Sequence, residues 1–322
     1  MGTDLGPGGP RRVVTEVGSE EFRFLLEVCR RIPDGSLHAG WTLKRKYTPK
    51  ELKAAELFYF SINSYFEPFG EQCGTVYDES RCCPQCGGGN ARTGPLVLNL
   101  RRAPKKKQLA RTFAPEFIVS QTLAELFLQH GVKGCELRPV IHKPYFNDEP
   151  VDFRKVPTGQ KLLRRAKLQK VKSWQFCVWL NEVEQMEWLE QATYEFQLLL
   201  GKRERKTPPP PPWYELIIHS KRISICEPTK IGSDFFRNDE DYGDMCIHAG
   251  KFGHKMGLNV LSEVSVLRST WDNSDIACTG QLIGNRMGML RPEPLMMISP
   301  RLYWLLNEWK IGKYYTEVAY LK

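Results

Sequence analysis

At 322 residues, with 41% hydrophobic and 26% charged positions, the chain has a globular composition and room for two domains of ordinary size, each with its own core. No apolar run approaches the ~18 residues needed to cross a bilayer, so no membrane partner is expected. The net charge of +9 points either to an acidic partner, which nucleic acid, a membrane surface or an acidic protein would supply, or to a basic solvated surface.

Residues 1–20, opening MGTDLGPGGPRRVVTEVG, carry two arginines with no apolar stretch after them and no hydroxyl at the sixth position. They read as a flexible tail on a cytoplasmic protein, not as a secretory signal or a myristoylation site. In that setting the ten cysteines read as metal ligands or reduced thiols in preference to disulfides.

A first half spans 21–153. AELFYFSINSYFEPFG (55–70) predicts a strand, and four cysteines follow within fourteen positions. Cys83-Pro84-Gln85-Cys86-Gly87 is an intact C-x-x-C-G knuckle, whereas Gly70-Glu71-Gln72-Cys73-Gly74 has glycine where the first thiol belongs. Two thiolates from one tight turn suit tetrahedral zinc, and the glycine after the turn avoids a Cβ clash. Cys73, Cys83 and Cys86 are the expected ligands, with a fourth left open. Cys82 is the local candidate, and Cys246, His248 and His254 of DMCIHAGKFGHKMGLN (244–259) are the distal ones. No H-x-E or H-E-x-x-H pattern accompanies them, so a structural Zn2+ is expected and an enzyme is not.

GPLVLNL (94–100) predicts another strand. PEFIVSQTLAELFLQHGVKGCELRPV (115–140) predicts a strand ending at a capping serine, a helix with one leucine face, a turn and a final strand. Residues 154–206 predict a basic helical connector, with WQFCVWL (174–180) as a strand candidate inside it. Arg164, Arg165, Lys167, Lys170 and Lys172 could neutralise phosphates while Trp174 and Phe176 stack on bases. The proline run of 207–213 predicts a stiff polyproline II spacer.

The second half, 214–322, repeats the first. Glu215-Leu216 and Ser220 match Glu56-Leu57 and Ser61, and Glu227-Pro228 matches Glu67-Pro68. In PLMMISPRLYWLLNEWKIGKYYTEVAYL (294–321), Ser299, Leu302, Leu305 and Ile311 match Ser120, Leu123, Leu126 and Val132. GQLIGNRMGMLRPEP (280–294) reads as a bulged strand and tight turn, because its glycines fit no phosphate-loop pattern. The expected fold is α+β: two duplicated small-sheet-plus-helix halves joined by a helical, proline-ended connector, with a zinc-ribbon-like knuckle in the first half.

The two closing blocks and the Cys-Gly knuckles resemble bacterial double-CXXCG motif proteins and the related immunity family first noticed in myxobacteria. The resemblance covers about 25 residues in each half. It implies a bacterial, cytoplasmic, zinc-stabilised binding protein without catalysis, whose partner is another protein such as a toxin. The chain departs from that pattern in having one intact knuckle, a basic balance and a proline spacer. The alternative is a zinc-containing, nucleic-acid-associated protein that uses the basic connector.

Overall fold

The computed structural model describes residues 3–4, 11–31, 42–80, 82–84, 87–220, 222–232, 254–255, 259–284 and 291–322. They form a mixed α+β structure with several small sheets and eight α-helices among the described residues. The first segment holds α1 (Glu20–Arg31), α2 (Pro49–Ala54), β1 (Leu57–Ile62), β2 (Tyr65–Phe66), α3 (Gly70–Cys73), β3 (Tyr77–Asp78), β4 (Ala91–Arg92) and β5 (Val97–Leu98). It continues with β6 (Leu109–Thr112), β7 (Phe117–Ser120), α4 (Gln121–Gln129), β8 (Cys135–Pro139) and β9 (Ile141–His142). The connector holds α5 (Pro157–Leu168), α6 (Phe176–Leu180) and α7 (Val183–Arg205). The last segment holds β10 (Trp213–Ile218), β11 (His254–Lys255), β12 (Val264–Val266), β13 (Ile276–Ile283), β14 (Glu293–Ile298), α8 (Pro300–Glu308) and β15 (Tyr314–Leu321).

Each main sheet borrows one strand from the other segment. One sheet runs β8–β10–β7–β6–β2 and the other β11–β13–β14–β1–β15–β12. Thus β10, from beyond the proline spacer, sits between two strands of the first segment, while β1, from the first segment, sits between two strands of the last. The reason lies in the strands themselves. Alternate residues of β1 face opposite sides, and both sides are apolar: Phe58, Phe60 and Ile62 enter a core shared with α4 and α8. Leu57 enters a second core with Val264, Val266, Met297 and Ala319. A strand buried on both faces is stable only at the centre of a covered sheet.

The shared core is where the two segments meet. It contains Leu123, Ala124 and Phe127 of α4, Leu302, Tyr303 and Leu306 of α8, and strand residues from both sheets. Phe58 stacks on Tyr303 at 4.2 Å and Trp309 lies against Phe127 at 6.3 Å. Truncating a fully buried phenylalanine such as Phe58 would cost about 3–5 kcal/mol.

Local geometry recurs between the sheets. Ser120 caps α4 by accepting from Leu123 N at 3.3 Å, and Ser299 caps α8 by accepting from Leu302 N at 3.1 Å. Both serines have their N–H bonded to a carbonyl at 2.9 Å, of Gln108 and Asp275 respectively, and their hydroxyls reach the side chains of those same residues. Thr112 and Thr279 each donate to the carbonyl two residues on, at Ala114 and Gln281. After the helices, left-handed residues fall at Gly131 and Gly134 in one case and at Lys310 and Lys313 in the other.

Two expectations need correction. Residues 174–180 are helical, not a strand: a 3-10 turn over Ser173–Gln175 leads into α6. Trp179 and Leu180 are buried while Cys177 and Val178 are exposed, which is the one-sided burial of a helix and not the alternation of a strand. The register of the exchanged strands also differs from the sequence match. Trp213 pairs with Ser120 and Phe58 with Ile298, so Trp213 takes the place of Leu57, three residues from the match of Glu215 to Glu56. An odd shift turns every side chain to the other face of a sheet, so identity along the chain is a poor guide to register. The bulge expected within 280–294 is present at its start, as a register shift between Cys278 and Leu282.

Candidate functional site

The cysteine segment is held to the first sheet by one buried carboxylate. Glu116, directly before β7, accepts the Gly70 N–H at 2.9 and 3.1 Å, the Tyr77 hydroxyl at 2.6 Å and the Thr112 hydroxyl at 2.6 Å. It thereby fixes the start of α3, strand β3 and strand β6 at one point. Burial raises the Glu116 pKa, against the lowering effect of these bonds. Burial and the adjacent Glu116 carboxylate also push the Tyr77 hydroxyl up. Arg92 of β4 closes the loop from the other side with a two-pronged ion pair to Glu215 of β10.

Within this frame Cys73 ends α3 and is buried, and burial pushes its thiol up to about 11. Strands β3 and β4 form a hairpin whose far end carries Cys82 and Cys83. There the backbone turns back on itself: Gly87 N donates to Cys83 O at 2.7 Å, Cys83 N donates to Gly88 O at 2.9 Å, and Gly87 is left-handed at φ 68°. Arg291, paired with Glu79, places its Nη1 at 3.8 Å from Cys82 Sγ.

The expected ligands are brought together only in part. Among the described residues no three His, Cys, Asp or Glu side chains converge to hold a metal ion, so Cys73, Cys82 and Cys83 do not form a site by themselves. Cys86, Cys246 and His248 lie outside the described residues. The backbone of His254 lies in β11, parallel to β13 and paired with Leu282. Cys83 opens the turn closed by Gly87, while Cys73 lies at the end of α3, outside it.

The connector forms an antiparallel helical hairpin with its own core of Val156, Leu162, Ala166, Trp179, Leu180, Ala192 and Phe196. Its direction is set by paired contacts between α5 and α7: Thr158 with Glu195 at 2.6 Å, Lys161 over Trp188 at 5.8 Å and Arg165 with Glu184 at 3.1 Å. The base is tied to the body through Glu204, which meets Arg101 and His142, and through Gln197 with Asn147.

The opposite end of the hairpin, residues 168–183, is the tip. Between residues 153 and 181 the chain carries Arg154, Lys155, Lys161, Arg164, Arg165, Lys167, Lys170 and Lys172 and no Asp or Glu. Of the five cations singled out from the sequence, Arg165 pairs with Glu184. Arg164, Lys167, Lys170 and Lys172 are exposed and make no ion pair among the described residues. Trp174 is 74% exposed in the tip, and Leu168, Val178 and Val183 of the same 168–183 stretch are also exposed. Phe176 instead packs inward against Phe153 and Trp179, so Trp174 is the open aromatic face of the two.

Sequence reasoning missed Glu116 and the Arg92–Glu215 pair. A single glutamate before an apolar strand carries no pattern, and its partners lie 4 to 46 residues away. No helix among the described residues is long and apolar enough to cross a membrane. Comparison with protein-family models, with curated proteins and with solved structures finds no match to this chain.

Proposed function

We propose that this chain is a non-catalytic binding protein that contacts nucleic acid through the tip of its connector hairpin. The observation that carries the reading is this end of the hairpin: Lys170 and Lys172 in the tip and Arg164 and Lys167 in the last turns of α5 have no ion-pair partner among the described residues, and Trp174 in the tip is open. Cations set against phosphates release counterions, and an exposed indole stacks on any base, so the combination favours a single strand over a duplex. The body that carries the hairpin is, in this reading, an internal duplication with exchanged central strands, supported by the matching strand orders and cap bonds. The knuckle holds one structural zinc through Cys83 and Cys86, with further ligands from outside the described residues, in a cytoplasmic setting.

The test is titration of the full chain with a fluorescent single-stranded oligonucleotide over a range of salt. Affinity should fall steeply with salt, and changing Arg164, Lys167, Lys170 and Lys172 to glutamine should flatten the logarithmic slope by about 3. Trp174→Ala should weaken binding by about 1–3 kcal/mol at every salt concentration. An unaltered slope in the four-fold variant would refute the reading. For zinc, elemental analysis should find about one per chain and a loss in Cys83→Ser with Cys86→Ser; full retention in that variant refutes the knuckle site.

A protein partner of the toxin-and-immunity kind is the second reading, favoured by the exposed Leu168, Val178 and Val183 at the same tip. Nucleic acid has little use for aliphatic side chains. Aspartate at these three positions should abolish a protein complex and weaken oligonucleotide binding far less than the loss of the cations does.

A further inference from the structure

A second group of exposed cations lies at the base of the hairpin, where two basic runs far apart in sequence are joined. The turn over residues 99–107 carries Lys105 and Lys106, while the end of α7 and its cap residue carry Lys202, Arg203, Arg205 and Lys206. Arg101 joins the two: its guanidinium pairs with Glu204 and donates to the carbonyls of Pro208 at 2.8 Å and Thr207 at 3.4 Å. Lys105 and Lys106 follow Arg101 by four and five residues, which keeps their Cα atoms within about 19 Å of its own. The backbone bonds from Ala103 to Leu100 and from Lys107 to Pro104 draw them closer still.

All six cations are exposed and make no ion pair among the described residues. The one acid between residues 201 and 208, Glu204, is turned inward to Arg101 and His142, and residues 101–111 hold no acid. Arg102 stands apart from the group: Glu149 pairs with it, and Glu67 and Asp148 share a cleft of ≈ 220 Å³ with it. Cations at a helix C-terminus answer the helix dipole, but the dipole supplies only about half a negative charge there. The end of α7 alone sets four positive charges against it. Like charges gathered in this way repel one another, and the surplus favours an external polyanion.

The spacing of the two basic ends is set by α7, whose 23 residues rise about 34 Å from tip to base. A stacked single strand covers that distance in about ten nucleotides, at ~3.4 Å each. The two faces of the hairpin differ as a path between the ends. On the α5 side no Asp or Glu occurs between residues 153 and 181, whereas α7 exposes Glu184, Glu187 and Glu190. The α5 side also leads to the right place, since Glu149, in the segment that runs into α5, is the residue that Arg102 reaches from the 99–107 turn.

We propose that the base cluster is a second phosphate anchor for the strand held at the tip, so that one single-stranded nucleic acid of about ten nucleotides lies along the α5 side of the hairpin. This rests on the nucleic-acid reading of the tip and adds to it a direction, a length and a second set of residues.

The test is titration of the full chain with labelled oligothymidylates of increasing length, over a range of salt. Changing Lys105, Lys106, Lys202 and Lys206 to glutamine should flatten the logarithmic salt slope for a 20-nucleotide strand by about 3, at about 0.7 per phosphate contact, and weaken binding at low salt by about tenfold or more. Changing Lys44, Lys46, Lys50 and Lys53, which are exposed and unpaired among the described residues, removes the same charge from another region and should leave the slope nearly as it was. Affinity should rise with length to about ten nucleotides in the parent and level off sooner in the base variant, and one 20-nucleotide strand should bind per chain. A parental slope or length profile in the base variant overturns the proposal, as does equal flattening in the Lys44 set or the binding of two strands per chain. If the base variant matches the parent while the Arg164, Lys167, Lys170 and Lys172 variant does not, the reading of the tip stands alone. The reverse refutes the tip and the shared strand with it, and no salt-dependent binding at all overturns both.

Discussion

Glu116→Gln isolates the anchor of the cysteine loop. Each carboxylate oxygen takes one hydroxyl, Tyr77 at Oε1 and Thr112 at Oε2, and both share the Gly70 N–H. In the amide one oxygen becomes an NH₂ donor, so both hydroxyls lose a charged acceptor, although Thr112, with one proton and the Ala114 carbonyl also in reach, can turn that proton to Ala114. A bond to a charged acceptor contributes about 1.5–3 kcal/mol. Removing the buried charge returns part of its desolvation cost, the cost that the raised pKa reflects. The expected net loss is about 1–3 kcal/mol, read as a lower urea midpoint at unchanged slope. Because Gly70 opens the helix that ends at Cys73, the variant should also let thiol reagents reach Cys73, whose burial and raised pKa otherwise protect it. The pH profile adds a sign. The folded pKa of Glu116 lies above its unfolded value of about 4.3, so the native state holds more protons between the two. This group's contribution is fully present below the unfolded value and is lost as pH rises through the folded one; the variant's curve should lack that fall. A Glu116→Gln protein with the parent's urea midpoint, pH profile and slow Cys73 labelling refutes the anchor.

Other outcomes follow from local geometry. Gly70→Ala should cost about 1–3 kcal/mol, since its Cβ would press on the Glu116 carboxylate and come to 2.6 Å of Thr75 Oγ1; urea unfolding checks it. Ser120→Ala should cost about 1 kcal/mol as a lost helix cap, and Ser299→Ala more, because its hydroxyl also meets buried Asp275 at 2.8 Å. Lys310→Gly should stabilise by about 0.5–1 kcal/mol, as φ 55° is a strained angle for lysine and an easy one for glycine. Glu136 is held at about 2 by its bonds to Arg138 and His219. Its contribution is present above the unfolded value near 4.3 and lost as pH falls toward 2, and His219→Ala should move its carboxyl NMR titration upward.

Much of the second matching block was legible because its signals are local. A serine before an apolar helical face is a cap wherever it falls, and Ser120 and Ser299 both act as one. The backbone turn after Cys83 was legible for the same reason: its glycines follow within a few residues, and Gly87 N closes on Cys83 O. The basic face of α5 was legible from composition, but not that Trp174 would be open and Phe176 closed. That depends on which aromatic the α6 core takes in. The strand at 174–180 was misread because a short apolar run fits either period, and its neighbours α5 and α7 supplied the helical packing.

The sequence by itself determined the class of elements, the two capped helices, the hairpin's charge and the form of the cysteine turn, because these rest on contacts a few residues apart. Tertiary structure alone decided that β1 would join the sheet of the last segment and β10 the sheet of the first, and that Glu116 would pin the cysteine loop. A strand with two apolar faces has no preference written along the chain for one sheet over another. Its place is settled by which buried surfaces remain open on both sides when the core closes.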